Sequence, residues 1–267
     1  MKSVLIPFVA RNWPFANGSG RILDLFARDI DLGSGAVAAD TSDGFRMTVL
    51  ADDLIGRHIL MSGKFDRSVV GVLLGKAKPG DVLLDIGANI GYVSSVFLAN
   101  IPGSRAICIE PQPGISDLLA SNVAQFGDRA GVLVLGLADR NGTLRFHLDP
   151  ANRGASRIAA EGEIEIEVRQ AGAILEGMDR VDLIKIDVEG YEEPIFRSAA
   201  GALARLRPRA ILFEDQTGAA APKGAIGSIL AGLGYRIFGI DKGLWRTRLK
   251  EINSEADCRF NDYIACL

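Results

Sequence analysis

Residues 82–95, VLLDIGANIGYVSS, constrain the fold more than any other part of the chain. Val82, Leu83 and Leu84 form a short apolar run closed by Asp85, the pattern of a buried strand. A loop, Gly87-Ala88-Asn89-Ile90-Gly91, follows, and an apolar helical run opens at Tyr92. A strand, a glycine turn and a helix start, in that order, make a place for a ligand. Glycine lets the turn close and lets ligand atoms approach the backbone. The first turn of a helix offers unpaired N–H groups.

The glycine spacing narrows the kind of ligand. A dinucleotide fold requires G-x-G-x-x-G, its last glycine leaving room for a pyrophosphate. A phosphate-binding P-loop requires Lys followed by Ser or Thr after the last glycine. Here the pattern is Asp85-x-Gly87-x-Asn89-x-Gly91, which is neither. An acidic residue ending the strand suits a cationic group, such as an amino-acid ammonium, better than a phosphate. That favours S-adenosylmethionine over a nucleotide.

From residue 81 onward strands and helices alternate, as in a parallel sheet covered on both faces. Strands are predicted at 82–85, 105–109 and 132–137, with helices at 92–99 and 115–126; Ile115, Leu118, Leu119, Val123 and Phe126 share one helical face. The rhythm then breaks. Leu144, Phe146 and Leu148, and later Ile164, Ile166 and Val168, alternate with polar residues. These read as two half-exposed strands joined by a loop over 150–162. Strands at 181–187, 210–214, 235–240 and 263–267, with helices within 191–206 and 225–233, complete the pattern. Before it, residues 1–64 read as an N-terminal cap, either packed on the main domain or covering a substrate cleft. A short helix at 23–30, a breaker at Gly33-Ser34-Gly35, and strands at 45–50 and 58–61 are expected there, followed by a helix at 68–77.

Three motifs carry a family resemblance. DIGANIGY, then Glu110-Pro111-Gln112-Pro113, then KIDVEGYE at 185–192 resemble the FkbM family of S-adenosylmethionine-dependent methyltransferases. The similarity runs from about residue 65 to 214, with a weaker match at NDYIAC near the C-terminus. The resemblance implies an α/β class I, Rossmann-like fold: a mostly parallel twisted sheet, helices on both faces, and an antiparallel C-terminal strand. The domain would span 65–267 with a β-hairpin inserted at about 142–169. It implies O-methylation of a hydroxyl on a small molecule, typically a sugar or a polyketide-type natural product. N-methylation and non-catalytic S-adenosylmethionine binding are the alternatives; a nicotinamide oxidoreductase would need the missing third glycine.

In an open parallel sheet, ligands bind beyond the carboxyl ends of the strands. Those ends bring together Asp85, Glu110, Ala138-Asp139, Asp187-Val188-Glu189 and Glu214-Asp215. Glu110, with Pro111 fixing the backbone behind it, suits two ribose hydroxyls. Gly87, Ala88, Asn89, Gly91 and Tyr92 are expected at the amino-acid end of the cofactor. Asp139 is a candidate acceptor for the adenine amino group, although Asp139-Arg140-Asn141-Gly142 is also a plain turn signal. Asp187 also stands at the cofactor and, with Glu189, is a candidate general base, supported by Lys185 or Glu214. Lys185 alternates with Ile184 and Ile186, and a partner for neighbouring carboxylates is the favoured reading of it. Asp187, Glu189, Glu214 and Asp215 could hold Mg²⁺ through oxygen, but no histidine or spaced acidic ligand motif accompanies them, so magnesium is not favoured. Asn152, Gly154 and Ser156 resemble the family's N-x-G-x-S stretch and border substrate or cofactor; Glu192 completes its KIDVEG-x-E pattern. His147 reads as a solvated surface residue, and His58 lies in the cap with no motif to support a role. Trp13, Trp245 and Phe65 are aromatic candidates for an acceptor pocket, although packing explains each as well.

Bulk properties exclude other classes. With a net charge of −3 over 267 residues, no basic surface for nucleic acid or membrane is indicated. Three scattered cysteines make neither a disulfide framework nor a zinc site. The opening MKSVLIPFVA has a short apolar run broken by Pro7 and no small-residue cleavage pattern, so a cytoplasmic protein is expected. A homo-oligomer is left open.

Overall fold

A computed structural model describes residues 2–15, 17–149 and 152–267. The chain begins with α1 (Lys2–Arg11) and α2 (Ser19–Phe26), then the strand pair β1 (Ala36–Asp40) and β2 (Arg46–Leu50), then α3 (Leu54–Ser62) and α4 (Arg67–Leu74). The strand expected at 58–61 is helical instead. The carboxylate of Asp53 accepts from the Ile55 N–H at 3.1 Å and so caps α3, while Gly63 in the left-handed region (φ +74) ends it. Ile55, Ile59 and Ser62 then bury one helical face, a period that a four-residue window cannot display. The strand that pairs with residues 46–50 lies earlier, with Ala36 opposite Leu50.

The main sheet starts with β3 (Val82–Ile86), α5 (Tyr92–Asn100), β4 (Arg105–Ile109), α6 (Ile115–Val123) and β5 (Ala130–Leu133). The single strand expected over 132–137 is divided. β5 stays in the main sheet, and β6 (Gly136–Ala138) leaves it for a four-stranded sheet with β7 (Gly142–His147), β8 (Arg157–Ile158) and β9 (Ile164–Gln170). β7 and β9 form the expected antiparallel pair, with Leu144 opposite Ile166. Of the loop joining them, Pro150 and Ala151 lie outside the described residues.

The chain returns through α7 (Ala171–Glu176), β10 (Leu183–Ile186), α8 (Glu192–Leu206), β11 (Ala210–Glu214), α9 (Ala225–Gly232), β12 (Arg236–Lys242), β13 (Thr247–Glu251) and β14 (Asp262–Cys266). The eight strands of the main sheet run in the order β13-β12-β14-β11-β10-β3-β4-β5. β14 lies between β11 and β12, antiparallel to both, as expected for the final strand. β3 has parallel neighbours on both sides, with Lys185 of β10 and Cys108 of β4 flanking Asp85. α1, α7 and β13 have no counterpart in the sequence reading.

Each face of the main sheet buries an apolar layer. Phe196, Phe213 and Tyr263 meet on one side, Phe213 and Tyr263 stacked with ring centroids 5.7 Å apart. Leu83, Phe97 and Leu119 fill the other. Each such side chain contributes about 1.5–3 kcal/mol by leaving water. A third cluster ties the cap to the glycine loop: Met47, Val49 and Ile59 pack with Ile90, Tyr92 and Val96. Among the described residues no helix is long and apolar enough to cross a membrane.

Candidate active site

At the end of β3 the chain turns sharply. Gly87 has φ +74, and a Cβ there would lie 1.8 Å from the carbonyl oxygen of Asp187. Only glycine lets the ends of β3 and β10 approach this closely. Asn89 also adopts a left-handed conformation (φ +49), and its Oδ1 accepts from the Ile90 N–H at 2.8 Å. Gly91 is also left-handed (φ +82). A Cβ there would meet Leu119 Cδ1 at 2.7 Å, so Gly91 lets α5 pack on α6, and it is not among the described residues that line a cavity.

Glu110 is buried at the end of β4. Its Oε2 accepts from the Asn89 N–H and its Oε1 from the Gln112 N–H, both at 2.9 Å. Burial pushes its pKa up to about 7, against the pull of those two bonds and of Lys185.

Asp85 is 0% exposed and lies beneath the loop. Its Oδ2 accepts from Ser94 Oγ at 2.6 Å; its Oδ1 accepts no hydrogen bond and faces Lys185 Nζ at 3.4 Å. Lys185 Nζ donates to the Gly87 carbonyl at 2.9 Å and lies 3.2 Å from Asp187 Oδ2. Burial opposes its charge, but Asp187 and Asp85 outweigh burial and hold the ammonium above the usual lysine range. Lys185 thus holds its charge and pins the glycine loop, the partner for neighbouring carboxylates that the sequence suggested. Asp85 faces that cation and is not among the residues lining the cavity above it.

That cavity is a narrow slot of about 110 Å³. Gly87, Ala88, Asn89, Glu110 and Pro111 form one flank, and the ring of Tyr92 also reaches it. Leu137, Phe146, Ile158 and Ile166 give it apolar wall, and Arg153, Ser156, Lys185 and Asp187 add polar and charged groups beside Gly154. Asn152 is not in its wall, and neither are Ala138 and Asp139. Because β5 ends at Leu133 and the chain turns away into the second sheet, Leu135, Gly136 and Leu137 occupy the strand-end position instead. Ala138 is buried, and Asp139 is exposed with Arg140 at 3.9 Å.

A second, wider cavity of about 620 Å³ lies between the cap and the main sheet. Arg21 and Asp24 of α2, His58 of α3, Lys64 and Glu214 are in its wall. Phe65 lines both cavities. Where the two approach, carboxylate oxygens of Asp187, Glu189 and Glu214 lie within 4.8 Å of one another. Glu189 adopts φ +54 in a turn closed by Glu192, whose carboxylate accepts from the Val188 and Gly190 N–H groups at 3.1 and 3.0 Å. Burial, then Asp187 and Glu192, push Glu189 up to about 7. Burial, then Asp187, push Glu214 up to about 8. Three oxygens this close could hold a hard cation. Asp215 is not part of the group: it accepts from the Thr217 and Ala220 N–H groups at 2.9 and 2.7 Å and so ties down its own loop.

The remaining candidates separate cleanly. His147 pairs with Glu163 at 2.9 Å on the second sheet. His58 Nε2 lies 2.9 Å from Asp24 Oδ1 in the wall of the wide cavity. Trp13 and Trp245 pack edge-on against Phe15, at 5.1 and 4.6 Å, and are not among the described residues lining either cavity. Sequence reasoning missed Arg21, Asp24 and Lys64, which no motif marks; only the tertiary placement of α2 and of the segment after α3 brings them to one cavity.

The strand order, with an antiparallel strand slotted before the sheet's edge and an acidic strand end over a glycine loop, defines the class I methyltransferase fold. The profile of the methyltransferase FkbM domain matches residues 85–237, more than half of the chain, and the chain belongs to that family of methyltransferases. It is 29% identical over 165 residues to the hexuronic acid methyltransferase AglP of Haloferax volcanii, covering 59% of this chain and 65% of that protein. It is 28% identical over 176 residues to the 2-O-methyltransferase NoeI of Sinorhizobium fredii, covering 57% and 70%. The match thus spans about two thirds of each relative. A crystal structure of methyltransferase FkbM from Methylobacillus flagellatus aligns with TM-score 0.44 and 15% identity, over 79% of this chain and 54% of that one.

Proposed function

We propose that the chain is an S-adenosylmethionine-dependent O-methyltransferase whose acceptor is a sugar hydroxyl. The observation that carries this reading is the place of the carboxylate group. Asp187 lines the narrow slot, Glu214 lines the wide cavity, and their oxygens and those of Glu189 are neighbours where the two spaces approach. The donor belongs in the slot. Glu110, buried with a raised pKa, suits a ribose diol whose two hydroxyls would donate to it. The apolar wall at Leu137 and Ile166 suits an adenine ring, and the loop 87–89 suits the amino-acid end. The names of two relatives, a hexuronic acid methyltransferase and a 2-O-methyltransferase, support a sugar acceptor and oxygen as the methylated atom.

When bound, S-adenosylmethionine supplies a methyl group on a sulfonium, open to in-line displacement. This chain's residues do the rest. Phe65, between the cavities, keeps water from the line of transfer. Glu189 or Glu214, with proton affinity near neutrality, takes the hydroxyl proton as the carbon–oxygen bond forms and the carbon–sulfur bond breaks. Lys185 neutralises Asp187 without competing for that proton.

The test combines calorimetry with transfer of a labelled methyl group to glucuronate- and glucose-containing oligosaccharides. S-adenosylhomocysteine should bind and the label should appear as a sugar methyl ether. At least one of Glu189→Gln and Glu214→Gln should lower turnover by about 10²–10⁴-fold with S-adenosylhomocysteine affinity kept. Binding of NAD in its place, label on nitrogen, or full turnover in both variants would overturn the reading.

A further inference from the structure

We infer that the wide cavity under the cap is the acceptor site and that it takes an acceptor bearing a carboxylate or phosphate, held by Lys64 and Arg21, with its hydroxyl toward Glu214. The inference rests on the methyl-donor reading above and adds the charge and the orientation of the acceptor.

The argument is an inventory of charge in the cavity wall. Its cationic or basic side chains are Arg21, His58, Lys64, Arg67 and Lys242, and its acids are Asp24, Asp66 and Glu214. Most are already matched. His58 lies 2.9 Å from Asp24; Lys242 lies 2.9 Å from Asp66 and 2.8 Å from Asp262; Arg67 lies 2.6 Å from the buried carboxylate of Asp43. Glu214 accepts from the Gln216 amide at 2.7 Å and has no cation among the described residues. Among the described residues, neither Lys64 nor Arg21 has a carboxylate or any other side-chain acceptor.

Lys64 is the more telling of the two. It is half-buried, and burial together with the charge of Arg67 pushes its pKa below the usual lysine range. Removing an ammonium from water without an acceptor is unfavourable, and an anion arriving in the cavity would supply one. Lys64 lines the wide cavity next in sequence to Phe65, the residue shared by both cavities. Arg21 approaches from α2. The cavity therefore has a cationic wall of Lys64 and Arg21 and an acidic end at Glu214 that joins Asp187 and Glu189. A volume of about 620 Å³ is that of an ordinary small-ligand site. An acceptor with an anionic group and a free hydroxyl satisfies both ends in one orientation; a neutral sugar leaves the cations unmatched.

The test uses the full chain and three probes, methyl glucuronide, glucose 6-phosphate and methyl glucoside, followed by ligand-observed NMR with and without S-adenosylhomocysteine. At least one anionic probe should bind about tenfold more tightly than the glucoside, the size of one charge-assisted hydrogen bond. Which anion is tighter distinguishes carboxylate from phosphate. Lys64→Met should bring the preferred anion down to the level of the glucoside, Arg21→Met should act in the same direction, and S-adenosylhomocysteine affinity and thermal unfolding should be unchanged in both. Equal binding of all three probes, no binding of either anion, or a preference that survives both substitutions overturns the inference. Loss of S-adenosylhomocysteine binding with the anion preference intact would instead bring down the donor reading and leave the anion site standing.

Discussion

The two cavities are built on opposite plans. The slot is made of strand ends and tight turns, and its polar groups are held before any ligand arrives: Glu110 by two backbone N–H groups, Lys185 by two carboxylates and a carbonyl. The wide cavity is made largely of helices that precede the sheet, and it carries charges without partners. On the reading proposed here, donor recognition is fixed by the backbone of the main sheet, and acceptor recognition is delegated to side chains on α2, α3 and the segment after them. Such a division lets the acceptor change while the donor site stays as it is.

The sharpest way to test that separation is Glu110→Ala. On the donor reading proposed above, the substitution removes two charge-assisted hydrogen bonds to the ribose, and S-adenosylhomocysteine affinity measured by calorimetry should fall about a hundredfold. Anion binding in the wide cavity should stay within about twofold. Because Glu110 also holds the N–H groups of Asn89 and Gln112, the variant's thermal unfolding must be measured beside it. Affinity within about twofold of the parent chain would remove Glu110 from the donor site.

How much was legible in the sequence follows the same division. Strand, glycine turn and helix start are encoded by adjacent residues, so the slot's flank of Gly87, Ala88, Asn89, Glu110 and Pro111 could be named in advance. A strand's end is less legible: β5 stops at Leu133, and residues 135–137 line the slot where the sequence placed a strand running to 137 and a site at 138–139. For Asp85 and Gly91 the motif marks the position but not what it packs against. Their neighbours, Lys185 and Leu119, are remote in sequence, and only packing reveals that one carboxylate is neutralised and one glycine serves a helix contact. In the cap, the 3.6-residue period of α3 was hidden in a short apolar run, and nothing local could bring Arg21, Lys64 and Glu214 to one cavity.

A second, smaller effect is a pH dependence. Glu110 has a folded-state pKa of about 7, raised chiefly by burial; on the donor reading proposed above it accepts from both ribose hydroxyls only when ionised, because protonation turns one of its oxygens into a donor. Below pH 7 a proton must leave before the ligand binds, so S-adenosylhomocysteine affinity should rise by up to about tenfold per pH unit toward 7 and level off above it. Stability of the free chain should move the other way. A carboxylate whose folded pKa is raised stabilises the fold below its unfolded pKa, and that contribution is lost as pH rises through the folded value. With Glu110 and Glu189 at about 7 and Glu214 at about 8, the unfolding temperature should decline between pH 5 and 8. Glu214→Gln should flatten the upper part of that decline. A pH-independent affinity for the ligand would mean that Glu110 does not meet the ribose.

The smallest expected effect bears on the slot's apolar wall. If adenine is met by the walls at Leu137 and Ile166, Asp139→Ala should change S-adenosylhomocysteine affinity by less than about twofold, since Asp139 is exposed and turned toward Arg140. Leu137→Ala should cost more: Leu137 is buried, and truncating it opens the face on which the base would rest. Calorimetry on both variants separates the two possibilities. A large loss for Asp139→Ala beside a small one for Leu137→Ala would mean that the turn at 139–142 closes over the ligand when it binds. The slot would then be assembled by its ligand instead of being held ready for it, and the contrast between the two cavities would have to be redrawn.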